Sequence, residues 1–142
     1  MIRFGTGGWR AIIGDDFIKE NIIRVADALA WKMKNEQSAT QGIVIGFDKR
    51  FLSDKASRWV AEVFAAHEIN VYFIGKVTPT PVVMYTVKQY HTNYGLTITA
   101  SHNPADYNGI KIFTYGGKDA DIEVTREIEE IIEVRKSATI PV

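Results

Sequence analysis

Gly42-Ile43-Val44-Ile45-Gly46-Phe47, closed by Asp48, is a short apolar run without alternation. A strand that is apolar at successive positions has to be covered on both faces, as happens when a parallel sheet lies between layers of helices. Downstream, Ser53 stands where it can cap a helix carrying Ala56, Val60, Val63, Phe64 and His67 on one stripe, and Val71-Tyr72-Phe73-Ile74, ending at Gly75, supplies the next strand. Upstream, Ile18, Ile22, Val25, Ala26, Leu29, Ala30 and Met33 recur with the helical period, which predicts a helix over 17–35 with Asp15 or Asp16 as N-cap. Further on, Thr78-Pro79-Thr80-Pro81 is a rigid connector, and Pro81 fits the first turn of a helix that runs to Tyr90. Tyr94–Thr99 alternates Leu96 and Ile98 with threonines, Gly109-Ile110-Lys111-Ile112-Phe113 is a further strand, and Val124, Ile128, Ile131 and Ile132 form the last helical stripe.

Four expected strands thus alternate with four expected helices. That order predicts an α/β fold: a three-layer α/β/α sandwich with a four-stranded, mostly parallel (mixed) sheet. Ile43, Ile45, Tyr72 or Phe73, Leu96 and Ile98 are its expected core contributors. Residues 1–136 make the domain, and 137–142, which lose periodicity and contain Pro141, read as the start of a linker to a second domain.

Composition narrows the function. The 142 residues, 46% hydrophobic, suit one domain with a sizeable core, and 17 Lys+Arg against 17 Asp+Glu leave no net field to attract nucleic acid or an anionic membrane. The expectation is no nucleic-acid partner and no membrane partner. No window approaches a membrane-spanning length of apolar residues, and Met1-Ile2-Arg3-Phe4-Gly5 lacks the order of a secretory signal. With no cysteine there is neither a disulfide nor a thiolate site, in keeping with a cytoplasmic protein. His67, His91 and His102 lack metal-ligand spacing, so a zinc site would need carboxylates for most of its ligands.

Two clusters can carry chemistry. Thr99-Ala100-Ser101-His102-Asn103-Pro104-Ala105-Asp106-Tyr107-Asn108-Gly109 follows directly on a buried strand, where open α/β sheets gather their ligands. Ser101 can be a nucleophile, but neighbouring residues on an extended segment point apart, so His102 cannot easily activate it, and the G-x-S-x-G elbow of a hydrolase is missing. The same residues are also what turns are made of. Lys111, set between Ile110 and Ile112, should face away from them, either holding a phosphate and moving a proton or simply protecting a sheet edge. The second cluster is Gly5-Thr6-Gly7-Gly8-Trp9-Arg10: dense glycines let backbone amides approach a ligand, and Arg10 can grip a phosphate bidentately, although an irregular structural loop reads the same way. Asp119 and Asp121 begin a helix and read as helix-end charge rather than as metal ligands.

Taken together and in this order, the clusters resemble the α-D-phosphohexomutase superfamily, which includes the phosphoglucomutases and phosphomannomutases. Phe4–Arg10 resembles the opening F-G-T-x-G-x-R, and Thr99–Pro104 followed by Asn108-Gly109-Ile110-Lys111 resembles the active-serine loop. Gly46-Phe47-Asp48-Lys49-Arg50 resembles a weaker element, G-x-D-x-R, which also reads as a strand-end turn. The resemblance implies an intramolecular phosphotransferase, an isomerase that interconverts hexose 1- and 6-phosphates through a bisphosphate. Ser101 would carry the phosphate, Lys111 and Arg10 would attend it, His102 and Asn103 would shape the loop, and Gly7 and Gly8 would line the phosphate neighbourhood. The family's Mg²⁺ is held by one phosphoserine oxygen, here on Ser101, and by three aspartates of a D-x-D-x-D-R motif on a second domain. That motif, the sugar-reading loop and the terminal phosphate loop are absent here. The chain therefore resembles only the first of four domains, with sugar phosphates and the remaining domains as partners, a glucose 1,6-bisphosphate-type activator, and no turnover alone. Phosphoglucosamine or phosphopentose mutases, or a non-catalytic binding or regulatory domain of the same fold, are the alternatives.

Overall fold

The computed structural model describes residues 2–5 and 8–141. In chain order the elements are β1 (Trp9–Ile12), α1 (Lys19–Asn35), β2 (Ile43–Phe47), α2 (Ser53–Ala66), β3 (Val71–Phe73), α3 (Thr80–Tyr90), β4 (Tyr94–Ile98), β5 (Tyr107–Thr114), β6 (Lys118–Asp119) and α4 (Ile122–Val134). One mixed sheet runs in the order β1-β5-β4-β2-β3, with β6 on the same β5 strand. β2 pairs in parallel with β3 and β4, whereas β5 is antiparallel to β4, β1 and β6.

The three layers follow from the alternation of side chains across the pleat. Ile43, Ile45, Leu96, Ile98, Ile110 and Ile112 share one core with residues of α1, α2 and α4, while Val44 and Phe113 point the other way to Val83 and Val87 of α3. Covered on both faces, β2 and β4 are buried at every position, which is why β2 reads as an unbroken apolar run. Gly95 permits the close approach of α3: an added Cβ there would overlap the Val87 side chain.

Several expectations need correction. Among the described residues the sheet has six strands, not four. β1 and β6 escape a pattern reading because four and two residues are too few to show alternation, and their pairing with β5 defines them. Tyr72 is 37% exposed on the edge strand β3, and Phe73 packs on the core only in part. Neither Asp15 nor Asp16 caps α1; Ile18 stands at the N-cap without a side-chain bond. Ser53 is not a cap either, because Leu52 takes that position at φ 75° and frees the serine hydroxyl for the site described below. Asp121 does cap α4, accepting from the Val124 amide at 3.1 Å.

Two polar networks fasten the helical face. The Asp27 carboxylate of α1 accepts from Arg135 Nε at 2.9 Å and Nη2 at 3.2 Å, and lies 2.9 Å from His67 Nε2, joining the ends of α2 and α4 to the middle of α1. At the amino end of β4, Lys32 binds Glu127 at 2.7 Å and Glu36 at 2.9 Å, and Glu36 also accepts from Tyr94 and Ser38. Burial, then the Glu36 carboxylate, pushes the Tyr94 hydroxyl up to about 12. Burial works against a charged Lys32 and a charged Glu36, but their mutual bonds prevail, raising the lysine and lowering the glutamate. Among the described residues, no helix is long and apolar enough to cross a membrane.

Candidate active site

The sheet order brings the carboxyl ends of β2 and β4 side by side, and the Ser101 loop leaves the second of them. Ser101 and His102 are exposed, Asn103 is half-buried, and Asn108 at the far side of the loop is fully buried. Ser101 sits at φ 56°, in the left-handed region that a residue with a Cβ enters only under constraint. Its amide donates to Thr99 Oγ1 at 3.1 Å, and the Asn103 and Tyr107 amides bond to the Ala100 and Pro104 carbonyls within the loop.

What holds this loop is Arg50, from the turn after β2. Its Nη1 donates to the carbonyls of Pro104 at 2.8 Å and Tyr107 at 3.0 Å, and its Nη2 to those of Ser101 at 2.8 Å and Asn103. Arg50 is itself anchored, since its amide and the Ser53 hydroxyl both donate to Asp48 Oδ1, at 3.0 and 2.7 Å. Ser53 in turn accepts from Asn108 Nδ2 at 2.8 Å, while Asn108 also donates to the Phe51 carbonyl and accepts the Gly109 amide. The turn after β2 and the first residues of β5 are thus bolted together beneath the loop. Residue-by-residue reading assigns no role to Arg50, Asp48, Ser53 or Asn108 beyond a turn and a cap; the G-x-D-x-R spacing is the signal that marks the first two.

Arg10 lies on β1 opposite Gly109, Lys111 follows two residues on along β5, and Thr97 of β4 is opposite Lys111. Alternation therefore puts Arg10, Lys111, Thr97 and Thr99 on one sheet face, the face of α3, whose buried Val83 and Val87 meet Val44 and Phe113. Thr99 carries the Ser101 amide, so the serine, the lysine and the arginine share that face. They do not touch in this structure: Lys111 Nζ is 3.3 Å from Asp119 Oδ1, and no bond joins Ser101 to Lys111 or Arg10 among the described residues. Asp106 accepts the Ile13 amide through its carbonyl, and His102 makes no contact with Ser101 that would support a triad. Gly8 belongs to the β1 approach: at φ 148°, an added Cβ would lie 2.5 Å from the Ile110 carbonyl oxygen. Gly7 lies outside the described residues.

A cleft of about 620 Å³ opens beside the turn after β2, lined by Asp48, Arg50 and the cations Lys49, Lys55, Arg58 and Lys76. With Asp54 the lining holds two carboxylates against five cations, an excess of positive charge that favours an anionic ligand in the cleft. Among the described residues no group of three His, Asp or Glu converges on one point. Asp119 is paired with Lys111 and Asp121 caps α4. A phosphate on Ser101 could give Mg²⁺ one oxygen ligand, and its remaining ligands would have to come from other residues.

Comparison with known proteins gives the family of the chain. Residues 1–139 match the family model for "Phosphoglucomutase/phosphomannomutase, alpha/beta/alpha domain I". A Pyrococcus abyssi protein described as a phosphoglucosamine mutase is 36% identical over 138 residues, covering 97% of this chain and 29% of its own length. A phosphoglucomutase of Staphylococcus aureus is 39% identical over 137 residues, covering 92% of this chain and 25% of its own. The crystal structure of a Thermus thermophilus protein described as a phosphomannomutase superposes with a TM-score of 0.88 at 30% identity, over 92% of this chain and 30% of that one. The chain thus spans less than a third of the length of each of these relatives. With residues 1–139 matched by that model and the fold shared with a solved relative, it belongs to the phosphoglucomutase/phosphomannomutase family, as that family's α/β/α domain I.

Proposed function

We propose that this domain supplies the phosphoserine of a phosphohexomutase, an isomerase that exchanges phosphate between the 1- and 6-positions of a hexose phosphate. The observation that carries the reading is the shape of the Ser101 loop: an exposed serine held at a strained φ on the tip of a loop whose base is locked. In the forward half-reaction the bond between phosphorus and Ser101 Oγ breaks as a sugar hydroxyl oxygen bonds to phosphorus; the hydroxyl proton leaves to a base, and the departing serine oxygen takes up a proton. The reverse transfer, at the other end of the resulting bisphosphate, restores the phosphoserine. Because the resting enzyme already carries the transferred group, the first transfer needs no base to activate the serine, which agrees with the missing triad.

Lys111 and Arg10 share the sheet face of the loop, and each offers a cation to the phosphoryl oxygens. Lys111 would exchange Asp119 for the phosphate, because a dianion competes well against one half-exposed carboxylate. His102 and Asn103 shape the loop, and Gly8 lets β1 approach β5 closely enough to bring Arg10 there. Mg²⁺, when bound, supplies charge neutralisation at the phosphate. Sugar phosphates of this class include those of glucose, mannose and glucosamine, since relatives 30–39% identical carry names for different sugars. Domains beyond residues 137–142 would complete the site, a 1,6-bisphosphate would prime it, and the cytoplasm, where charged sugar phosphates are retained, is its setting.

The test is intact-mass analysis of the protein after exposure to glucose 1,6-bisphosphate and Mg²⁺ in the presence of its completing domains. One phosphate on Ser101, absent in Ser101→Ala, is expected, and a wild-type protein that stays unmodified rejects the reading. The 142-residue chain alone should show no mutase turnover.

A further inference from the structure

We propose that Arg50 is a positioning residue for phosphoryl transfer at Ser101: its guanidinium, engaged by the loop backbone, fixes the loop in the one shape that presents the serine oxygen. The inference rests on the phosphoserine reading and names a residue that this reading does not use.

Four loop carbonyls, those of Ser101, Asn103, Pro104 and Tyr107, converge on a single planar cation. Carbonyl oxygens aimed at one point repel one another, so this backbone path is unfavourable unless a cation stands at its centre. A guanidinium suits the place because its donors are set in a rigid fork, and both terminal nitrogens here donate to two acceptors each. Ser101 itself is held at φ 56°, a conformation that persists only where the surroundings over-determine it, and the Arg50 bond to the Ser101 carbonyl is one of those constraints. Arg50 is in turn fixed from below. Its side chain is 15% exposed, Asp48 Oδ1 holds its amide, and the Asp48 amide donates to the Ile98 carbonyl at the end of β4. The cation's terminal donors are engaged by the backbone, which distinguishes it from Lys111, whose ammonium lies 3.3 Å from the Asp119 carboxylate.

The experiment compares wild type, Arg50→Ala and Arg50→Lys in the enzyme with all its domains present. A loop displaced by about 1 Å is expected to lower kcat by about 100-fold in both variants, with KM changed by less than about threefold. Guanidinium ion at tens of millimolar should restore at least about tenfold of kcat in Arg50→Ala, where it can fill the vacated fork, and none in Arg50→Lys. Hydrogen exchange at the Asn103 and Tyr107 amides should quicken by at least about tenfold in both, while β2 and α1 amides keep their rates. Wild-type kcat in either variant overturns the inference, and so does a loss of kcat with no guanidinium rescue and unchanged loop exchange. If Arg50→Ala does not fold, Arg50→Lys decides through kcat and loop exchange. Failure of the underlying reading looks different: wild-type protein itself then takes no phosphate on Ser101.

Discussion

Two ion networks of this domain make opposite use of an arginine. On the helical face, Arg135 and His67 converge on one buried carboxylate, Asp27, and the contact runs from side chain to side chain, tying three relaxed helices together. Beneath the Ser101 loop, Arg50 donates to four backbone carbonyls, and the result is a strained loop held in one shape. The first arrangement serves stability and the second serves geometry. A charge among side chains lowers the energy of a packing that helices already favour, whereas a charge among carbonyls creates a backbone path that would not exist without it.

The largest effect should come from breaking the first network. Asp27→Ala leaves the Arg135 guanidinium and the buried His67 ring without their shared carboxylate, and chemical denaturation should show a loss of about 3–5 kcal/mol, with the loop's own exchange pattern unchanged until the protein unfolds. A loss confined to the Ser101 loop would reverse the assignment of roles.

Alkaline pH tests the same face without mutation. Folded Tyr94 titrates at about 12 against a usual 10, so its proton is held more tightly in the folded state; its contribution is complete below pH 10 and is lost as pH rises towards 12. Lys32, also raised, acts in the same direction. The unfolding free energy should fall over that window by about 2 kcal/mol, and Tyr94→Phe should flatten the slope. Glu36, lowered in the fold, adds stability at neutral pH that is lost on acidification below the ordinary carboxylate range. A midpoint independent of pH above 10 would show that these bonds do not persist in solution.

Gly109 lies at the base of the second region, where β5 passes between β1 and the end of β4. An added Cβ would overlap the Trp9 carbonyl oxygen and lie 3.0 Å from that of Thr99. Gly109→Ala should therefore cost about 1–3 kcal/mol in denaturation and shift the Arg10 and Ser101 backbone resonances together. The smallest effect has the opposite sign. Ser101→Gly relieves the left-handed strain and should raise stability by about 1 kcal/mol in thermal unfolding while leaving nothing to phosphorylate; a neutral or lowered midpoint would mean that the loop stores no strain.

Much of this was legible in the residues. β2, the stripes of α1, α2 and α4 and the polar loop after β4 are local patterns, set by the period of each element and by burial of its apolar positions, so they can be read along the chain. Ser101, Lys111 and Arg10 were legible as side-chain chemistry in motif spacing. β1 and β6 were not, since a strand of four or two residues exists only through its partner.

What the sequence by itself determined is the α/β alternation, the apolar core and the identity of the serine loop, because each depends on residues close together in the chain. Only the tertiary structure decided how that loop is held. Arg50 and the carbonyls it binds are 51 to 57 residues apart, and they meet because the crossover through α2, β3 and α3 returns β4 to the side of β2. Ser53 likewise reads as a helix cap from its neighbours alone, yet it turns inward to Asp48 and Asn108, since burying a hydroxyl beside a carboxylate and an amide satisfies all three groups at once.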